Sequence, residues 1–74
     1  MKTNVGEYIV GLTDDPKKAR RQHGNPMGWI QHGPFLNENT AREWKKWYID
    51  QGYTGAAEDS GWRYGFRYPI IGTE

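Results

Sequence analysis

A regular alternation of side-chain types near the end of the chain constrains the fold more than any other feature. Every second residue there is large and apolar: Trp62, Tyr64, Phe66, Tyr68 and Ile70. Arg63, Gly65 and Arg67 occupy positions between them. Because successive side chains of a β-strand point to opposite faces, the alternation predicts a strand over residues 62–68 with its aromatic face toward the core. Pro69 cannot donate a ladder hydrogen bond, so the strand is expected to end there or to lie at a sheet edge.

The length of the chain leaves room for one small core around this strand. Its 74 residues form a single domain, residues 1–74, and a chain of this size buries only about 60 to 65% of its unfolded surface. The mean hydropathy of −1.00 is low, but 15% of the residues are aromatic. Since each aromatic ring buries about 150 to 250 Å², we expect a folded domain with an aromatic core and not a disordered chain.

Two earlier segments have the composition of strands. Residues 7–13 are rich in β-branched and aromatic side chains and are too few for a stable helix. Gly11 inside this segment indicates a bulge or a close approach of another group to the backbone. Residues 29–32 form a weaker strand candidate, which Gly33 and Pro34 end.

Two other segments carry the start and stop signals of helices. In the first, Asp15 is a suitable N-cap, and Gly24 suits the position just after the last turn. The second helix covers residues 37–51, with either Asn37 or Asn39 as its N-cap. Its apolar side chains fall on one stripe that is expected to face the sheet.

The order of these elements is β-α-β-α-β, which predicts an α+β fold. The simplest packing has a small three-stranded sheet with both helices on one face. Residues 54–61 are small and acidic and are predicted to form a loop.

Positive charge is concentrated in the first helix. The formal net charge of the chain is only +1, but residues 17–23 contain no acid and four cations: Lys17, Lys18, Arg20 and Arg21. Such a group can neutralise the phosphates of a nucleic acid and release their counterions. The alternative is an ordinary solvated helix face.

Arg63 and Arg67 give the last strand a second basic feature. Both lie on the face opposite the aromatic residues, with Gly65 between them. This spacing predicts an open slot flanked by two guanidinium groups, which suit planar phosphate or carboxylate ligands. The alternative is a pair of solvated arginines behind a packed core.

Residues with catalytic or metal-binding chemistry are scarce. There is no cysteine, and His23 and His32 are the only histidines, which is too few for a typical metal site. The acid pairs at 14–15 and 58–59 are interpreted as a helix cap and as loop polarity. No hydroxyl has a base at the spacing of an activated nucleophile. We therefore predict no catalytic residue, no metal and no cofactor.

Sequence signals also bear on the compartment. The lack of cysteine suits a reducing environment, and the first residues lead into no apolar segment typical of a signal peptide. No apolar run is long enough to cross a membrane. We expect a cytoplasmic domain without membrane contact.

Residues 8–21, Tyr-Ile-Val-Gly-Leu-Thr-Asp-Asp-Pro-Lys-Lys-Ala-Arg-Arg, resemble the second half of the GIY-YIG nuclease signature. In that family a strand ending in Tyr-Ile/Val-Gly runs into a polar turn and a basic helix. Residues 40–46 resemble the family's second helix, so the resemblance covers residues 7–48. It implies a similar but permuted scaffold, in which the last strand pairs with residues 7–13 in place of the family's first strand.

The family's catalytic positions are not kept. The position of its catalytic Tyr falls on Ile9, that of its catalytic Arg on Ala19, and that of its metal-binding Glu on Lys45. In the family these groups activate the attacking water, stabilise phosphoryl charge and hold Mg²⁺. The resemblance therefore implies a related scaffold without hydrolysis.

The leading hypothesis is a non-catalytic nucleic-acid-binding module. Six residues are predicted to contact backbone phosphates of DNA or RNA: Lys17, Lys18, Arg20, Arg21, Arg63 and Arg67. One alternative is a protein-interaction module or accessory subunit with Trp29 and Trp47 as exposed contact residues. Another is a divergent metal-dependent nuclease of the GIY-YIG type.

Overall fold

Residues 7–70 form two helices and a four-stranded sheet in the computed structural model, which describes this part of the chain. The strands are β1 (Tyr8–Thr13), β2 (Ile30–His32), β3 (Thr54–Gly55) and β4 (Tyr64–Pro69). The helices are α1 (Pro16–Gln22) and α2 (Glu38–Asp50). The predicted α+β class is confirmed, and β4 ends at Pro69 as the proline requires.

The first and last strands lie side by side in the middle of the sheet. The strand order is β2-β4-β1-β3, and β4 runs antiparallel to both of its neighbours. Gly11 of β1 lies opposite Phe66 of β4 in this register. A side chain at Gly11 would overlap the Phe66 ring, which explains the glycine inside an otherwise β-branched strand. The predicted pairing of residues 7–13 with the last strand is therefore confirmed.

Side chains cap both helices at their first turns. The Asp15 carboxylate accepts a hydrogen bond from the Lys18 N–H at 3.1 Å. The Asn37 side chain accepts one from the Thr40 N–H at 2.8 Å, so Asn37 and not Asn39 is the N-cap of α2. Gly24, just after α1, has a φ of 83°, a conformation that favours glycine.

The sheet has four strands instead of the three predicted, because part of the predicted loop at 54–61 pairs with β1. β3 runs parallel to β1, and the Ala56 N–H extends the pairing by donating to the Val10 carbonyl at 2.8 Å. An isolated bridge between Thr13 and Ser60 lies further along the same edge. Two residues are too few to show a period-two pattern, so the sequence carried no strand signal here.

The helices cover opposite faces of the sheet, so the prediction that both lie on one face is wrong. Gly65 and Phe66 are consecutive on β4 and point to opposite faces. The Trp44 ring of α2 lies against Gly65. On the other face the ring of His23, at the end of α1, packs against Phe66 with centroids 5.0 Å apart.

The strand order gives the physical reason for this arrangement. β1, β2 and β3 are parallel to one another, and β4 is the antiparallel strand among them. The chain crosses the sheet in one direction from β1 to β2 and in the other from β2 to β3. Since crossovers between parallel strands are almost always right-handed, two crossovers in opposite directions place their helices on opposite faces.

Aromatic rings make up most of the packing on both faces. The fully buried apolar residues are few and central: Val10, Leu12, Ala19, Ala41 and Phe66. On the α1 side Trp29 stacks on Phe66, with centroids 4.6 Å apart and the planes 8° from parallel. On the α2 side Trp44 packs edge-on against Tyr48 at 5.1 Å. The expected aromatic core is present, but it is divided between two layers.

Candidate nucleic-acid-binding surface

The four cations of α1 all point into solvent. Lys17, Lys18, Arg20 and Arg21 are exposed, while Ala19 between them is buried against the sheet. The ion pairs found within residues 7–70 belong to other cations: Arg42, Lys45, Lys46 and Arg63. The α1 cations therefore have no carboxylate partner among the described residues, and their charge is available to an anion in solution.

Helix electrostatics explain only two of these four cations. Arg20 and Arg21 lie in the last turn of α1, where the negative end of the helix dipole stabilises positive charge. Lys17 and Lys18 lie in the first turn, where the dipole repels positive charge, and the first turn holds no acid. The helix dipole therefore does not favour lysines at these two positions.

Asp14 fixes the segment before β4 against the start of α1. Its carboxylate accepts hydrogen bonds from the N–H groups of Arg63 and Trp62, each at 3.1 Å. These two donors hold the pKa of the Asp14 carboxyl below its usual value. Gly61 has a φ of 124°, and a side chain there would overlap the carboxylate. The predicted strand at 62–68 therefore begins only at Tyr64, because residues 61–63 form this turn.

Arg63 lies beside the basic helix as a result. Its guanidinium Nε is 3.9 Å from the Asp14 carboxylate, and its side chain is 66% exposed. An exposed pair at this distance is worth little, so Arg63 is free to exchange Asp14 for another anion. Of the two arginines predicted to flank Gly65, Arg63 is therefore the one whose guanidinium lies near the start of α1.

Arg67 lies on the other face of the sheet and makes internal contacts. Its Nε donates to the His32 Nε2 at 3.1 Å, and its Nη1 donates to the Tyr53 hydroxyl at 3.3 Å. The guanidinium carbon is 5.2 Å from the centre of the Tyr48 ring. Arg67 thus ties β4 to β2, to α2 and to the segment that follows α2.

The open slot predicted at Gly65 is absent. The Trp44 ring lies so close to Gly65 that any side chain there would overlap it. Glycine is required at position 65 because the Trp44 ring occupies the space that a side chain would take, which leaves no room for a ligand there. The structure thus separates Arg63 from Arg67, which sequence alternation had placed on one face.

His32 shares the environment of Arg67. Its ring lies 4.9 Å from the Trp44 ring, centroid to centroid, and it accepts the Arg67 hydrogen bond. Burial, together with the nearby positive charge of Arg67, lowers the pKa of His32 below its usual value. The His32 imidazole must be neutral in this contact, because a protonated ring has no free lone pair to accept the hydrogen bond from Arg67.

The two tryptophans proposed as exposed contact residues differ from each other. Trp29 is half-buried and stacks on Phe66, so it is part of the core on the α1 side. Trp47, on α2, is 57% exposed. Of these two tryptophans, only Trp47 is therefore an exposed contact residue.

Asp59 has a structural role that the sequence did not reveal. Its Oδ1 accepts from the Leu12 N–H at 3.0 Å, and its Oδ2 accepts from the Lys45 Nζ at 2.8 Å. The Asp59 and Lys45 side chains are only 18% and 17% exposed. The interpretation of residues 58–59 as mere loop polarity is therefore wrong for Asp59. The contact spans elements far apart in the chain, so no local spacing signals it.

The three positions that the GIY-YIG resemblance marks as catalytic hold side chains with other roles. Ala19 is the buried residue of α1, and Lys45 forms an ion pair with Asp59. Ile9 lies on β1 opposite Tyr68. Within residues 7–70, no three side chains of metal-binding type come together.

Comparisons with known proteins assign the chain to no family. Neither helix of the described part of the chain is long and apolar enough to span a membrane. No protein-family model, curated protein or solved structure matches the chain.

Proposed function

We propose that the domain is a non-catalytic nucleic-acid-binding module that contacts backbone phosphates. The surface consists of five residues: Lys17, Lys18, Arg20, Arg21 and Arg63. One observation carries the proposal, namely that the α1 cations are exposed and lack a carboxylate partner among the described residues. Arg67 is left out because its donors are directed at His32 and Tyr53.

Phosphate neutralisation is the function that this charge pattern suits best. Each lysine or arginine that contacts a phosphate releases condensed counterions, which favours binding at low salt. Lys17 and Lys18 oppose the helix dipole, so their positions cost a little helix stability. A polyanionic partner offsets that cost, whereas solvent does not. Contacts of this type position a protein on a nucleic acid without reading its sequence.

The absence of hydrolysis is part of the proposal and follows from the residues at three positions. Ile9, Ala19 and Lys45 supply neither the hydroxyl, nor the guanidinium, nor the carboxylate that GIY-YIG nucleases use at the positions they resemble. We expect no cleavage of plasmid DNA when Mg²⁺ or Mn²⁺ is added. Cleavage that disappears in Arg20→Ala would instead support the divergent-nuclease alternative.

A titration with labelled oligonucleotides tests the proposal. Fluorescence anisotropy is measured with short single- and double-stranded DNA and RNA at low and at moderate salt. We expect binding in the micromolar range that weakens steeply as salt rises. The triple variant Lys17→Ala/Arg20→Ala/Arg21→Ala should bind about 100-fold more weakly or not measurably, since it removes three of the five proposed phosphate contacts.

Two results would count against this function. Wild-type protein that binds no oligonucleotide at low salt, where attraction to phosphate is strongest, contradicts it directly. Undiminished binding by the triple variant would show that α1 is not the surface. Circular dichroism of the triple variant serves as a control for folding, and it should match the wild type because the three side chains are exposed.

A protein-interaction module is the second candidate, supported by two apolar side chains. Leu36, just before α2 in the chain, is 92% exposed, and Trp47, on α2, is 57% exposed. Tryptophan is frequent among residues that dominate binding energy. If this candidate is correct, Leu36→Ser/Trp47→Ser abolishes cross-linking to a protein partner in cell extract and the α1 triple variant does not.

A further inference from the structure

Trp62 differs from the other three tryptophans in its surroundings. Trp29 stacks on Phe66, Trp44 packs among several rings, and Trp47 packs edge-on against Tyr48. Trp62 has no aromatic ring against it within residues 7–70. It is half-buried, so part of the indole remains open to solvent.

The position of Trp62 relative to positive charge is equally distinct. The guanidinium carbon of Arg63 is 5.9 Å from the centre of the Trp62 ring, at the outer limit of a cation–π contact. The backbone N–H of Trp62 is held by Asp14, two residues before the first residue of α1. The Trp62 ring therefore lies beside an exposed arginine, on a turn that is hydrogen-bonded to the residue two positions before the basic helix.

We infer that Trp62 and Arg63 form a stacking platform for one base of a single-stranded nucleic acid. The inference rests on the proposed function and specifies its ligand class. A base stacks on the open part of the indole, while Arg63 leaves its loose pair with Asp14 and contacts the adjacent phosphate. The bases of a duplex are stacked on one another and are not available to such a platform, so single strands are preferred.

Trp47 is the matched control for this inference. It is more exposed than Trp62, but it lies on α2, across the sheet from α1. Its helical neighbours four residues before and three residues after are Glu43 and Asp50. The adjacent cation Lys46 is paired with Asp50, so it offers no unpaired positive charge beside Trp47. Exposure alone predicts that Trp47 stacks more readily than Trp62, whereas the local charge predicts the reverse.

The test compares variants at both tryptophans by anisotropy with three labelled ligands: a single strand, the same strand with abasic sites, and the duplex. Stacking of one base on an aromatic side chain is worth about 1 to 3 kcal/mol. Trp62→Leu should therefore weaken binding to the intact single strand about 5- to 150-fold. It should leave binding to the abasic strand nearly unchanged, since the stacking partner is already missing. Trp47→Leu should change neither.

Trp62→Phe separates stacking from a simple loss of fold. The phenyl ring keeps a stacking surface, so this variant should retain most of the single-strand affinity. Quenching of tryptophan fluorescence by the single strand should largely disappear in Trp62→Phe and persist in Trp47→Phe. The backbone hydrogen bond to Asp14 does not depend on the side chain, so the turn at 61–63 should be preserved.

Distinct results separate failure of this inference from failure of the proposed function. If wild type binds and the α1 triple variant does not, but Trp62→Leu binds the single strand normally, the platform is refuted and the phosphate-binding surface stands. Equal affinity for duplex and single strand would refute the platform in the same way. No binding of any ligand by wild type would overturn both.

Discussion

The two helices of this domain carry similar numbers of cations but use them in different ways. On α2 each cation has a carboxylate partner: Arg42 pairs with Glu38, Lys45 with Asp59 and Lys46 with Asp50. On α1 none of the four cations has one within the described residues. The charge of α2 is thus neutralised within the molecule, and that of α1 is presented to solvent.

The difference shows that pairing, and not the number of basic residues, distinguishes a structural helix from a candidate binding surface. Two of the α2 pairs follow from i,i+4 spacing within the helix, and the third joins it to the segment beside β1. Changes on the α2 side should therefore alter stability, and changes on α1 should alter binding.

Filling the space at Gly65 should have the largest effect. Gly65→Val would displace the Trp44 ring and separate α2 from the sheet. We expect a loss of about 3 kcal/mol in the free energy of unfolding, measured by urea denaturation. Gly24→Asn is the control, because no atom lies within 4 Å of an added Cβ there; its φ of 83° favours glycine but is tolerated by Asn, so the loss should stay below about 1 kcal/mol. Equal stability of the Gly65 variant would show that Trp44 does not anchor α2.

Removing the carboxylate that bridges α2 and β1 should have the next largest effect. Asp59→Ala leaves the Leu12 N–H without an acceptor and Lys45 without its partner in a largely enclosed position. The expected loss of unfolding free energy is about 2 kcal/mol. Lys17→Ala, an exposed and unpaired cation of α1, should change stability by less than about 0.5 kcal/mol. Similar losses in the two variants would contradict the contrast between the helices.

Acid should weaken the α2 side through His32. Its pKa is lowered in the folded state, so between about pH 6.5 and that lower value the unfolded chain binds more protons. Stability is therefore full above pH 6.5 and falls as the pH drops through this window. His32→Gln retains an acceptor for Arg67 but does not titrate, so its stability curve should be flatter between pH 7 and 5. Parallel curves for variant and wild type would show that His32 is not the group responsible.

Reversing charge at the start of α1 should have the smallest effect on stability, and in the opposite direction. Lys17→Glu/Lys18→Glu places acids at the positive end of the helix dipole and should stabilise the fold by about 0.5 to 1 kcal/mol. The same variant should lose oligonucleotide binding. Thermal denaturation and anisotropy measure the two effects. A variant that is both less stable and equally competent in binding would reverse our interpretation of these lysines.

Local signals in the sequence predicted the elements well. Asp15 and Asn37 marked the helix starts because caps depend on residues close in the chain. The alternation around Phe66 identified β4, and Gly11 indicated a close approach that proved to be the Phe66 ring.

Features that depend on distant residues could not be predicted in this way. Alternation placed Arg63 and Arg67 on one face of a strand, but Arg63 lies in the turn at 61–63 that is hydrogen-bonded to Asp14, before β4 begins at Tyr64. The space beside Gly65 is open or filled by the Trp44 ring depending on which face of the sheet α2 covers, and that face is determined by the strand order. Asp59 looked like a loop residue because its partners, Leu12 and Lys45, are 47 and 14 residues away.

Two charge-matched double variants test the central claim most directly. Lys17→Gln/Arg21→Gln on α1 and Arg42→Gln/Lys46→Gln on α2 each lower the formal net charge by two, from +1 to −1. The salt dependence of affinity for a single-stranded oligonucleotide is measured for both. We predict that the α1 variant lowers the slope of log affinity against log salt by about 1.4, or about 0.7 per lost phosphate contact, and that the α2 variant leaves it unchanged. Equal slopes in the two variants would show that only net charge matters and would contradict a binding surface on α1.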